Sequence, residues 1–352
     1  MEEKELMKKK SGLLASFAAG FCFVAVVMMA MGLLTGCGNN KETAGTDSQQ
    51  EVQSAEQSAD VEGNKAADIE ETETTETKDT AAEEETVAGN QAILVVSFGT
   101  SYNDSRDATI GAIENAITDA FPEYEVRRAF TSQIIIDKLK ERDGLEIDNV
   151  EEALDRAVAD GIKTLVVQPT HLMNGYEYTD LADALKDYEG KFDQIALAEP
   201  LLTSDADFEA VISAITEHTA SYDDGETAIC FMGHGTEADS NAVYAKLQEK
   251  ITAAGFENYF IGTVEAEPSL DDVLAAVKEK GTYKKVVLEP LMVVAGDHAN
   301  NDMAGDEEDS WKSVFESEGF EVECLLEGLG QNEAIRQIYV EHTKAAVDSL
   351  AK

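Results

Sequence analysis

The sequence has five histidines, and three of them close apolar runs. His171 follows Thr164-Leu-Val-Val-Gln-Pro-Thr, and His234 follows Ala228-Ile-Cys-Phe-Met-Gly. His298 lies just past Lys285-Val-Val-Leu-Glu-Pro-Leu-Met-Val-Val-Ala-Gly-Asp. Short runs of this kind, rich in β-branched residues, read as buried strands. In a parallel sheet the carboxyl ends of the strands open onto one crevice. Imidazole is neutral enough near pH 7 to ligate a metal, and it titrates close enough to that pH to move a proton. One such histidine alone would read as a hydrogen-bonded loop residue. Three at corresponding places point to metal binding or proton transfer. His218 and His342 lie in polar, helix-like stretches and read as surface residues.

The elements that deliver these residues follow from periodicity. Ile93–Phe98 reads as a strand ended by Gly99-Thr100. Ile110, Ile113, Ile117 and Phe121 then recur at spacings of three and four, one face of a helix. Strands are expected over Tyr124–Phe130, Thr164–Gln168 and Gln194–Ala198, with helices over about 132–142, 149–160, 180–188 and 205–222. The pattern then starts again. Thr227–Met232 ends in Gly233-His-Gly-Thr236 where the first half has Phe98-Gly-Thr100, and Lys285-Val-Val-Leu-Glu-Pro echoes Thr164-Leu-Val-Val-Gln-Pro. Asn258–Gly262 and Glu321–Leu325 complete the strands, and a helix over 332–350 closes the chain. Strand–helix alternation implies parallel sheets covered on both faces. The expected fold is α/β: two similar lobes, about 91–222 and 223–352, each a roughly four-stranded parallel sheet flanked by helices, facing each other across a cleft.

The ends have a different character. Lys8-Lys-Lys10 precedes an apolar run from about Leu13 to Leu34, which stops at Leu34-Thr-Gly-Cys37. A basic start, an apolar run and small residues before a cysteine read as an export signal over 1–37. The pattern resembles the lipobox of bacterial lipoproteins, which implies cleavage before Cys37, acylation of that residue and attachment to the outer face of the cytoplasmic membrane. The apolar run is also long enough to serve as an uncleaved anchor. Residues 38–90 are rich in Glu, Thr, Ala, Ser and Gln, cannot bury enough apolar surface to fold, and read as an acidic, self-repelling linker.

A formal net charge of −44 argues against nucleic acid, which needs a basic footprint. Two of the four cysteines, Cys230 and Cys324, lie in the folded part, in separate expected strands, and read as free thiols. Self-association is left open by the composition.

Several strings coincide: Ser97-Phe-Gly-Thr-Ser-Tyr102, Arg128-Ala-Phe-Thr-Ser132, Pro169-Thr-His-Leu-Met-Asn-Gly-Tyr-Glu-Tyr178, Met232-Gly-His-Gly-Thr236, Val264-Glu265 and Val294-Ala-Gly-Asp-His-Ala-Asn-Asn-Asp-Met303. Together they resemble the anaerobic sirohydrochlorin cobaltochelatases of the CbiK type, class II chelatases, from about Ala92 to the C-terminus. That resemblance implies a bilobal fold and insertion of Co²⁺, the substrate metal, into sirohydrochlorin, with neither ATP nor an organic cofactor. It implies a metal site of His234, Glu265 and His298, with the two histidines catalytic. It places His171, Asn174, Gly175 and Glu177 near the tetrapyrrole. Relatives often carry further histidines just after Met-Gly-His-Gly; here the stretch is Thr236-Glu-Ala-Asp-Ser-Asn241.

The side chains make that chemistry intelligible. Co²⁺ accepts imidazole and carboxylate, and an incomplete shell leaves room for pyrrole nitrogens. A histidine can alternate between ligand and general base. Asp297 and Glu289 are candidates to orient it. The substrate's carboxylates need donors in a strongly acidic protein. Arg128 and the backbone N–H groups of Gly99, Thr100 and Ser101 and of Gly235-Thr236 are the candidates, with Ser101, Thr131 and Ser132 hydroxyls beside them. Two other readings compete: a lipid-anchored metal- or tetrapyrrole-binding protein serving uptake, and a chelatase for iron or nickel.

Overall fold

The computed structural model describes residues 89–351. The export signal, Cys37 and nearly all of the acidic linker lie outside the described residues. Eight strands are present among the described residues: β1 (Gln91–Ser97), β2 (Glu125–Phe130), β3 (Thr164–Pro169), β4 (Gln194–Leu197), β5 (Thr227–Gly233), β6 (Tyr259–Thr263), β7 (Lys285–Pro290) and β8 (Glu321–Cys324). The helices are α1 (Asn103–Ala108), α2 (Ile110–Ala120), α3 (Gln133–Asp143), α4 (Val150–Ala159), α5 (Tyr176–Lys186), α6 (Asp205–His218), α7 (Ala242–Ala253), α8 (Leu270–Lys280), α9 (Trp311–Ser317) and α10 (Glu333–Leu350). A π-helical turn spans Ala299–Met303. None of these helices is long and apolar enough to cross a membrane.

The strands form two four-stranded parallel sheets, ordered β2-β1-β3-β4 and β6-β5-β7-β8. The interior strands β1 and β5 are buried on two faces, which is why Ile93-Leu-Val-Val and Ala228-Ile-Cys-Phe-Met are unbroken apolar runs. Side chains alternate between faces. Ile93, Val95, Ile229 and Phe231 join the core shared by the lobes. Leu94, Val96 and Leu165 face the outer helices of the first lobe, and Cys230, Met232 and Leu288 those of the second. Truncating a core residue, as in Ile229→Ala, costs about 2–5 kcal/mol.

The duplication is explicit in the backbone. Thr131 N donates to Ser97 O as Val264 N does to Gly233 O, and Ser132 N to Phe98 O as Glu265 N does to His234 O. Thr170 N to Val96 O matches Leu291 N to Met232 O, and Leu201 N to His171 O matches Leu329 N to Met292 O. The lobes therefore superpose Phe98 on His234 and Ser132 on Glu265. Glu177 and His298 also correspond, each eight residues past the proline that ends its strand.

The last helix of each half crosses over. Helix α10 follows β8 but packs on α2, β3 and β4, while α6 follows β4 and packs on α7 and α10. His342 of α10 is consequently mostly buried, with Nε2 3.1 Å from Asp207 Oδ1 and Nδ1 3.2 Å from Glu199 O. It is not the surface residue its polar stretch suggests. Helix α5 begins at Tyr176, a turn earlier than expected, which places Glu177 in its first turn.

Cys230 and Cys324 are both free, as expected. They flank Leu288 on alternate strands, roughly 9–10 Å apart at strand spacing, beyond disulfide reach.

Candidate metal centre and substrate cleft

The strand ends and their loops enclose a cavity of about 580 Å³ between the lobes. His234 follows β5, Glu265 follows β6 and His298 follows β7, three strands adjacent in the second sheet. Their loops leave the same edge, so side chains far apart in sequence converge. One ligating atom from each of the three lies within 4.8 Å of the others. The imidazoles of His234 and His298 meet edge-to-face, with centroids 4.7 Å apart and planes at 88°.

Each ring is oriented by its own loop. His234 Nδ1 lies 2.9 Å from Gly235 O and 3.7 Å from Glu265 Oε2. His298 Nδ1 lies 2.8 Å from Asp302 Oδ2, one π-helical turn on. Where Nδ1 carries the proton to these acceptors, Nε2 of both rings is left free to ligate. Glu265 N donates to His234 O, which fastens the two loops together. Gly235 permits this: its φ is +86°, and a Cβ there would stand 2.8 Å from Ala266 N. All three side chains are between about a third and a half exposed toward the cleft, so the site is open on one side.

His171 lies on the opposite wall, nine-tenths buried. Its Nε2 is 3.2 Å from Glu177 Oε2, within ion-pair range, yet neither ring nitrogen has a well-directed hydrogen bond. The distance shows proximity; the geometry shows that the imidazole remains free to bond something else. Gly99, Thr100 and Ser101 also line the cleft. Apolar side chains complete it, among them Phe98, Ile135, Met173, Tyr176, Met292 and Val294. Phe98 and Tyr176 stand out as large apolar residues left 49% and 62% exposed. Phe98 occupies in the first lobe the place His234 has in the second, so among the described residues one wall alone presents the full set of candidate metal ligands.

Several expected roles fall elsewhere. Arg128 is not in the cleft: Nε and Nη2 grip Glu114 at 2.7 and 2.5 Å. That pairing holds the guanidinium against α2 and raises its pKa further. Asn174 is exposed on the turn before α5 and is not part of the lining. The backbone N–H groups of Gly235 and Thr236 are already used, by Tyr244 Oη at 3.3 Å and Asn241 Oδ1 at 3.1 Å. Asp297 lines the cleft but accepts from Asn301 Nδ2 at 3.0 Å, not from His298. Glu289 is buried on the far face of β7, where Oε1 stands 3.6 Å from His218 Nε2 and Oε2 has no partner. Burial, with Glu327 adding to it, pushes its carboxyl up to about 8. The residue that orients His298 is therefore Asp302, which sequence reasoning missed. The i, i+4 spacing of His298 and Asp302 was the available signal.

The family described as Cobalt chelatase (CbiK) matches residues 91–348. The chain is 39% identical over 258 residues to a protein named sirohydrochlorin cobaltochelatase from Salmonella typhimurium, covering 73% of this chain and 97% of that one. It is 32% identical over 263 residues to sirohydrochlorin cobaltochelatase CbiKC from Nitratidesulfovibrio vulgaris, covering 74% and 92%. Among solved structures, SirB from Bacillus subtilis with Fe³⁺ shares the fold, with a TM-score of 0.52 at 12% identity over 75% of this chain and 98% of that one. On the extent of the family match and of the identity, this chain belongs to the CbiK family of cobalt chelatases.

Proposed function

We propose that the protein inserts Co²⁺ into sirohydrochlorin. The observation that carries this is the His234–Glu265–His298 cluster on one wall of an apolar interlobe cleft, in a chain whose relatives bear that activity in their names. Two imidazoles and one carboxylate suit Co²⁺ and leave positions open. The apolar walls, with Phe98 and Tyr176 exposed, suit a flat macrocycle.

Insertion exchanges one dication for two protons. As pyrrole nitrogens displace the protein ligands from Co²⁺, His298 is released and can accept a proton, with Asp302 stabilising the imidazolium that forms. His171, unpartnered and beside Glu177, is the acceptor on the opposite wall. Charge balances without hydrolysis of a nucleotide. The test is spectral titration of the metal-free full chain with sirohydrochlorin and Co²⁺. Many equivalents metallated per protein are expected. Saturation at a single equivalent would instead identify a binding protein.

We also propose that the chain is exported and tethered to the membrane by acyl groups on Cys37. The basic Lys8-Lys-Lys10, the apolar run and Leu34-Thr-Gly-Cys37 support this. Cys37→Ser should abolish labelling by a radioactive fatty acid. Undiminished labelling of that variant would refute the tether.

A further inference from the structure

Among the described residues no lysine or arginine lines the cleft, while Glu177, Glu237, Glu265 and Asp297 all line it. A tetrapyrrole with acidic side arms would meet only like charge there. A second cavity of about 720 Å³ adjoins the cleft across Ser101 and Tyr102, which line both. One wall of this second cavity is α3, which presents Lys138 and Arg142. These two are one helical turn apart and share a face.

The two cations differ in how they are held. Arg142 is fixed: Nη2 donates to Asn103 Oδ1 at 2.8 Å, and Nε and Nη2 to Asp143. Asn103 Oδ1 also accepts from Arg106 Nη1 at 2.8 Å, so the wall is tied through one amide oxygen. Lys138 has no ion pair or hydrogen bond among the described residues. Asp143 offsets Arg142 and Asp104 also lines the cavity, so the wall is balanced in charge, but Lys138 is the cation there that no carboxylate engages among the described residues. Across from α3, Ala295 N donates to Ser105 Oγ at 3.1 Å, which joins the two lobes at the cavity.

We propose that this second cavity is a carboxylate subsite, in which Lys138 and Arg142 receive acidic side arms of a tetrapyrrole seated in the cleft. The inference rests on the tetrapyrrole reading of the cleft but not on the metal inserted. An ammonium with no partner gains a charge-assisted bond, and a guanidinium held in place loses little entropy in adding one. The arrangement selects substrates by their number of carboxylates: the cleft accepts the flat ring, and the subsite reads its periphery.

The test is metal-free binding, followed by porphyrin fluorescence, with two probes: an octacarboxylate porphyrin and a dicarboxylate porphyrin. The full chain is compared with Lys138→Glu, Lys138→Gln/Arg142→Gln and a control, Lys140→Glu, whose lysine pairs with Glu146 and lies outside the cavity. The cavity variants should weaken octacarboxylate binding about five- to twentyfold, change dicarboxylate binding less than about twofold and flatten the salt dependence. The control should match wild type. Equal losses in the control and the cavity variants would reduce the effect to the general field and overturn the subsite. Unchanged octacarboxylate binding in a double variant that melts normally would overturn it too. Lys138→Glu alone, at an exposed position, keeps the test valid if loss of Arg142 disturbs the fold. Metallation of sirohydrochlorin by wild type is measured alongside. Its failure would count against the proposed function, whereas the porphyrin affinities judge the subsite.

Discussion

Asp302 holds His298 by its Nδ1 at 2.8 Å, across one turn of π-helix, and so leaves Nε2 as the free nitrogen of that ring. A carboxylate behind a metal-binding imidazole fixes its tautomer and raises its basicity. Asp302→Asn keeps the shape and loses the charge. Metallation should slow about 10- to 100-fold. Asp302 is nearly half exposed, so stability should change by no more than about 0.5 kcal/mol. A wild-type metallation rate in Asp302→Asn would remove the carboxylate from the mechanism.

His234, Glu265 and His298 should matter far more to turnover than to folding. All three are partly exposed at the cleft, so alanine at either histidine removes few buried contacts. The rate of Co²⁺ insertion should fall about 10²- to 10⁴-fold in His298→Ala. Glu265→Gln should weaken Co²⁺ binding by removing the one anionic group of the cluster. Calorimetric titration with Co²⁺ and thermal melts on the same samples check both. Normal cobalt affinity in Glu265→Gln would exclude Glu265 as a ligand.

Gly235→Ala couples the fold to the site. The new methyl group would meet Ala266 N and Cβ at 2.8 and 2.9 Å, at a φ of +86°. The loop bearing Glu265 must then move. A loss of about 1–3 kcal/mol is expected from backbone strain alone, and Co²⁺ affinity should fall with it. Gly255→Ala, which has a similar φ of +97° but open space around it, should lose stability and leave Co²⁺ affinity intact. Equal cobalt affinities in the two variants would separate Gly235 from the metal site.

Glu289 gives the fold a dependence on pH. Burial, and next Glu327, push its carboxyl from 4.5 up to about 8. A group whose pKa is raised on folding stabilises the fold fully below its unfolded pKa. That stabilisation is lost as pH rises through the folded value. Wild type should therefore weaken between about pH 4.5 and pH 8 relative to Glu289→Gln, by about 4 kcal/mol at the upper end. Glutamine suits the place, because its counterpart Gln168 makes good bonds to Pro169 O and from Thr343 Oγ1. Melting curves of the two proteins that stay parallel over this range would show that Glu289 carries no such burden.

The strands, the duplication and the residues of the candidate metal cluster are legible in the sequence. Strands buried on both faces must be apolar whatever they pack against, so Ile93-Leu-Val-Val and Lys285-Val-Val-Leu declare themselves locally. Residues placed just after such strands share an edge by topology, which brought His171, His234 and His298 together before any coordinates, while Glu265 entered only through the resemblance to the chelatases. Tertiary structure alone decided whatever depends on a face or a distant partner. Arg128 looked like a free cation until α2 packed against β2 and supplied Glu114. Glu289 and the residues around it are apolar or acidic in sequence, and nothing local reveals that its side chain turns to α6 and His218. The crossing of α10 to the first lobe buries His342 against residues far back in the chain. The cationic face of α3 becomes a cavity wall only when the second lobe closes over it. Periodicity is a property of neighbours in sequence, whereas pairing and enclosure are properties of neighbours in space, set by which apolar faces the packed sheets and helices bury together.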